Sequence, residues 1–129
     1  MCRCYVSERE RGTTIDREEF RARLSADFPD VVAQIRPDVA GLLQCEVSAF
    51  LRATEQAMDA GRFWAAEKHF RFVESILGQA DAELRNALEI SYLEELAWSE
   101  WTPQRLRAVK ERMPKLLRIL LTSKNPQWR

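Results

Sequence analysis

A chain of 129 residues has the length of one ordinary domain and can bury a single core without disulfides or metal. With 46% hydrophobic and 31% charged residues, 4 Gly and 5 Pro, it is neither disordered nor of low complexity. Its net charge is zero, which weighs against a general polyanion binder, but the distribution is uneven. From Thr102 onward eight Lys or Arg face one acid, Glu111, and the first 101 residues hold 12 basic against 19 acidic residues.

In chain order, residues 1–13 show no apolar period and carry the charge cluster Glu8, Arg9, Glu10, Arg11, so they read as a flexible arm. This start also lacks the apolar centre of a signal peptide, and the longest apolar runs fall far short of the roughly 20 residues of a membrane span. Both point to a cytoplasmic protein. The odd cysteine count, Cys2, Cys4 and Cys45, does not form a secreted disulfide framework.

A first helix starts at Thr14 or Asp16, whose side-chain oxygen can accept from the free amides of the first turn, with Glu18 and Glu19 favouring the positive end of the dipole. Phe20, Leu24 and Phe28 form its buried stripe. Pro29 interrupts it, and Val31, Val32 and Ile35 form a short second segment that ends at Pro37. A long helical pattern then covers residues 38–61, with Asp38 as cap, Gly61 as stop and Gly41 as an alternative point of division into two pieces. Cys45, in an apolar run, reads as a buried thiol. Residues 62–77 repeat the theme with Phe63, Ala66, Phe70, Val73 and Leu77 on one face, closed by Gly78.

Residues 81–98, DAELRNALEISYLEELAW, are the centre of the fold. Leu84, Leu88, Tyr92 and Leu96 recur every fourth position, while Ile90, Leu93 and Ala97 cover the neighbouring and opposite arc. A helix apolar on most of its circumference needs partners on several sides, which makes this one the hub. After a break at 99–103, Thr102 caps a last helix with Pro103 in its first turn. That helix runs to Leu121 with Leu106, Val109, Met113, Leu116, Leu117 and Leu120 inward, and Pro114 kinks or divides it. Residues after Lys124 read as a fraying tail. The pattern predicts an all-α, single-domain bundle of five to six mostly antiparallel helices over residues 14–123, with an arm at 1–13 and a tail at 124–129.

No catalytic or cofactor motif is present. Cys2 and Cys4 have no second ligand pair, and the only histidine, His69, has Ala66 rather than a glutamate three positions earlier, so neither a zinc site nor a di-metal carboxylate bundle is indicated. Glu89, Glu94 and Glu95 on the hub are expected to pair with Arg105, Arg107, Lys110 and Arg112 of the last helix. That helix, with Lys115 and Arg118, could alternatively contact phosphates of nucleic acid. Trp98 and Trp101 bracket the break after the hub; with Glu94, Glu95 and Glu100 they compose an acidic, aromatic partner-binding surface.

The segment NALEISYLEEL at 86–96 resembles the pattern N-x-[LI]-x-[IV]-S-[FY]-[LV]-E-x-L of a family of small, uncharacterised all-helical bacterial proteins. These resemble the single-domain immunity proteins that accompany polymorphic toxins. The matching positions are Asn86, Leu88, Ile90, Ser91, Tyr92, Leu93, Glu94 and Leu96; looser similarity through Phe20, Leu24, Phe28–Pro29, Phe70 and Leu77 extends it over residues 15–121. The resemblance implies a non-enzymatic protein that binds and neutralises a toxin domain. The expected function is therefore docking on another protein, without membrane or cofactor. A nucleic-acid-binding or regulatory role for the basic last helix is the alternative.

Overall fold

A computed structural model describes residues 14–129. Among them the chain forms seven helices and a closing 3-10 turn, with no strand. Helix α1 (Arg17–Asp27) starts where Asp16 accepts from the Glu19 amide at 2.9 Å, and buries Phe20 and Leu24. Pro29 opens α2 (Pro29–Ala33). Ahead of α1, Ile15 is held in an isolated bridge, donating to the Gln79 carbonyl at 2.7 Å and accepting from the Asp81 amide at 2.9 Å.

The long helix expected over 38–61 divides at glycine. Gly41 has φ +95°, a conformation that a right-handed helix cannot pass through, and α3 (Leu43–Asp59) starts only after it. Asp38 is not the cap; its carboxylate pairs with Arg36. The turn is instead held by Glu46, which accepts from the Gly41 amide at 3.0 Å and from Arg21 at 2.7 Å, while Arg21 also donates to the Gly41 carbonyl at 2.6 Å. Cys45, expected to be buried, is only partly so. Gly61, at φ +76°, turns the chain into α4 (Phe63–Leu77). A connection this short between two helices in contact reverses the chain direction.

The hub is one continuous helix, α5, of three segments: α-helical Ala82–Leu88, a wide π-helical segment Glu89–Glu94, and α-helical Glu95–Ala97. Asp81 caps it through the Leu84 amide at 2.9 Å. It packs against α1, α3 and α4, and against the last helix of the chain. Its apolar stripe has a period of four, longer than the 3.6 residues of an α-helical turn, so on a regular helix the stripe drifts by about 40° per step. The wide segment offsets this drift, and Leu84, Leu88, Tyr92 and Leu96 are all fully buried. The exception to the expected pattern is Ile90, which is 47% exposed.

Thr102 caps α6 (Pro103–Arg112) through the Arg105 amide, and Pro114 divides the last helix so that α7 (Lys115–Lys124) is separate. Leu117 and Leu121 face the core, whereas Leu116, expected inward, is exposed. The expected fraying tail is instead part of the fold. Pro126–Trp128 form a 3-10 turn, and Trp128 is fully buried. The reason lies at the end of the hub, whose last carbonyls have no partner within the helix. The Ala97 carbonyl accepts from Asn125 Nδ2, Gln127 Nε2 and Trp128 Nε1, each at 2.9 Å. Gln127 Nε2 is shared with the Ser99 carbonyl at 3.2 Å. The arm at 1–13, with Cys2 and Cys4, lies outside the described residues.

Candidate functional site

The end of the hub presents four of the five residues named from the sequence. Glu94 and Glu95 precede Trp98 by four and three positions, the spacing that puts side chains on one helix face. All three are exposed, Trp98 by 61%. The helix stops after Ala97, and the connection toward the Thr102 cap carries Glu100, also exposed. Glu94, Glu95 and Glu100 form no ion pair among the described residues. Ser99 ties this end to α3, its hydroxyl lying 3.1 Å from a Glu55 carboxylate oxygen and 3.0 Å from the Glu95 carbonyl. Trp101 departs from the group: it is half-buried against the core, with a buried Nε1–H that finds no acceptor among the described residues.

Contrary to the pairing expected from the sequence, the cations of the last two helices form no ion pair with Glu94 or Glu95 among the described residues. Arg105 pairs with Asp59 of α3 at 2.9 Å and Arg112 with Glu67 of α4 at 3.3 Å. Lys110 donates to the Gln127 and Arg129 carbonyls, and Arg118 to that of Trp128. Of the three acids Glu89, Glu94 and Glu95, only Glu89 is paired among the described residues, with Lys124 at 3.5 Å. Helix α6 packs on α4, and Arg105 and Arg112 reach acids of α3 and α4 instead. Four of the six cations that could contact phosphate therefore have intramolecular partners.

Beneath the surface, Thr54 Oγ1 lies 2.7 Å from His69 Nδ1, 2.9 Å from the Tyr92 hydroxyl and 3.0 Å from the Phe50 carbonyl. One proton arrangement satisfies all three contacts. Thr54 donates to Phe50, and its two lone pairs accept from Tyr92 and from the Nδ1–H of a neutral His69. The Phe50 ring stacks on both, at 4.6 Å from His69 and 5.6 Å from Tyr92. Burial, with a smaller push from Lys68, lowers the His69 pKa to about 4, and burial raises that of Tyr92. Both are neutral near pH 7, and the cluster works as core hydrogen bonding. His69 also borders a cleft of 620 Å³ walled by Phe28, Trp64, Arg62 and Lys68.

Residues 21–129 match one family, described as a Domain of unknown function (DUF7674). The chain belongs to the DUF7674 family. No curated protein and no solved structure matches it. The DUF7674 region opens inside α1 and runs to the last residue. It therefore contains the hub and also the final turn, beyond the 15–121 span of the resemblance.

Among the described residues of this DUF7674 chain, no group of three His, Cys, Asp or Glu stands close enough to hold a metal ion, and no helix is long and apolar enough to cross a membrane. Trp64, at the start of α4, is 60% exposed and lines the 620 Å³ cleft. No periodic signal marks it, since it lies just off the buried face of α4.

Proposed function

We propose that this DUF7674 protein is a non-catalytic protein-binding module that docks through the end of the hub helix on a basic partner, as an immunity protein covers a toxin domain. The observation that carries this reading is the exposure of Trp98 beside three carboxylates with no cationic partner among the described residues. An exposed Trp supplies the apolar anchor of an interface, and unpaired acids around it supply the charge that steers a basic surface into register. Inhibition of this kind needs complementarity of shape and charge rather than catalytic groups. A rigid helix end, fixed by the Ala97 carbonyl and by Ser99 against α3, is suited to it.

The test uses a partner retained at one-to-one stoichiometry from native lysate and lethal when expressed alone. The triple variant Glu94→Lys, Glu95→Lys, Glu100→Lys is expected to weaken its binding by about tenfold or more, mostly through the on-rate, with helicity unchanged. Unchanged affinity refutes the docking face. The alternative of nucleic-acid binding rests on Arg107 and Lys115, exposed and without ion pairs among the described residues, and predicts a steep salt dependence of binding to nucleic acid.

A further inference from the structure

A second cleft, of 410 Å³, lies between α3, the hub and the turn that follows α2. Gln34, Arg36, Gln44, Ser48, Arg52 and Ser91 provide its polar lining, and no carboxylate contributes to it. In a chain with as many acids as bases, two guanidinium groups and no acid make this lining locally positive. Arg36 shares its charge with Asp38. Arg52 has no ion pair among the described residues, and so is the free charge of the cleft.

Ser91 supplies an independent observation. Among the described helical hydroxyls, Thr54, Ser75, Thr122 and Ser123 each donate to a carbonyl three or four residues back, whereas exposed Ser25, and Ser48 and Ser91 of the cleft, do not. Ser91 is only 7% exposed and lines the cleft, yet its hydroxyl makes no hydrogen bond among the described residues. Ser48, facing it from α3, makes none either. Trp101 Nε1 is the one fully buried side-chain donor without a partner among the described residues, so the Ser91 hydroxyl keeps access to the cleft, where an acceptor from outside can reach it. Ser91 also sits within the π-helical segment, a geometry that recurs at functional sites.

We propose that this cleft binds the phosphate or carboxylate end of a small organic anion. Arg52 supplies the charge, Ser48 and Ser91 donate to the oxyanion, and the Gln34 and Gln44 amides are placed to complete its shell. The volume exceeds that of a bare ion, and Ile35, Val39 and Ala49 offer an apolar wall for the remainder of the ligand. Three residues beyond Arg52 and four beyond Ser91 come Glu55 and Glu95, so the acidic docking surface begins one helical turn away and bounds the site. This role does not depend on the protein-docking function.

The experiment is an amide-resolved NMR titration of the full chain with inorganic phosphate and, separately, with acetate, at ionic strength held constant with chloride. Saturable shifts centred on Ser48, Arg52 and Ser91 are expected with at least one of them: phosphate identifies a phosphate end, acetate a carboxylate end. Arg52→Gln should raise the dissociation constant about tenfold or more, and Ser91→Ala by a smaller factor. If Arg52→Gln fails to fold, Ser91→Ala decides alone. No saturable response to either anion up to about 50 mM, shifts centred on Arg107 and Lys115, or an unchanged dissociation constant in the variants overturns the assignment.

Discussion

Replacing Trp128 by alanine tests whether the last residues belong to the fold. The side chain is fully buried and its Nε1–H donates to the Ala97 carbonyl at 2.9 Å. Removing a buried aromatic of this size costs about 3–5 kcal/mol through lost transfer energy and the cavity left behind. The lost hydrogen bond lies within that figure, because Asn125 and Gln127 still donate to the same oxygen. For a domain of this length about 4 kcal/mol corresponds to a fall in Tm of roughly 15 °C. Urea unfolding followed by far-UV circular dichroism, with an unchanged m-value, measures it. Trp128→Phe keeps most of the volume and should lose about 1–2 kcal/mol. A loss under about 1 kcal/mol for Trp128→Ala would mean that the final turn is dispensable and that water can serve the Ala97 carbonyl, refuting the packing argument.

The remaining predictions concern polar groups in the core. His69 has a folded pKa of about 4 against 6.5 for the free side chain, so unfolding takes up a proton between those values. Stability is full above pH 6.5 and falls as the pH is lowered through this window, by about 3 kcal/mol in all, with no further loss from this group below about pH 4. Urea midpoints measured across the window should lose this dependence in His69→Gln; identical slopes in the two proteins would disprove the assignment. Thr54→Val leaves His69 Nδ1 and the Tyr92 hydroxyl without their shared partner and should cost about 2–4 kcal/mol. In a Tyr92→Phe background the same change should cost less, and strict additivity in the double-mutant cycle would argue against the shared hydroxyl. Glu46→Gln weakens the Arg21 pair and the hold on Gly41, for a loss of about 2 kcal/mol. Hydrogen exchange at the Gly41 amide should accelerate with it, and an unchanged rate would show that the turn is held by other contacts.

The parts of the fold legible in the sequence are those with a local cause. Asp16, Asp81 and Thr102 are caps because a short oxygen-bearing side chain precedes an apolar period, and the structure places each on the amide three residues later. Pro29 and Pro114 divide helices for an equally local reason. What escaped the sequence depends on distance. A single Trp in a five-residue stretch has no period, so nothing local shows that Trp128 fills the space beside the hub's last carbonyl. The destinations of Arg105 and Arg112 depend on which flank of the bundle α6 occupies, and charge counting cannot tell α4 from the hub. At the candidate site, the exposure of Glu94, Glu95, Trp98 and Glu100 follows from their place beyond the apolar stripe, while the inward turn of Trp101 does not. The Arg52 and Ser91 cleft was invisible, because its residues are ordinary singly and nearly forty positions apart.

The wide segment Glu89–Glu94 also sets how the chain tolerates changes in its own length. A residue removed from the middle of α3 or α4 would rotate everything after it by about 100° and turn the buried face toward water. Removing half-exposed Ile90 has a different result, because the π-helical segment already holds the equivalent of one surplus residue and can close to ordinary α-helical pitch. Leu84 and Leu88 on one side, and Leu96 and Ala97 on the other, then keep their places in the core. The helix on which the bundle is centred is thus also the one with slack in it, and a chain one residue shorter at this point would still assemble the same fold.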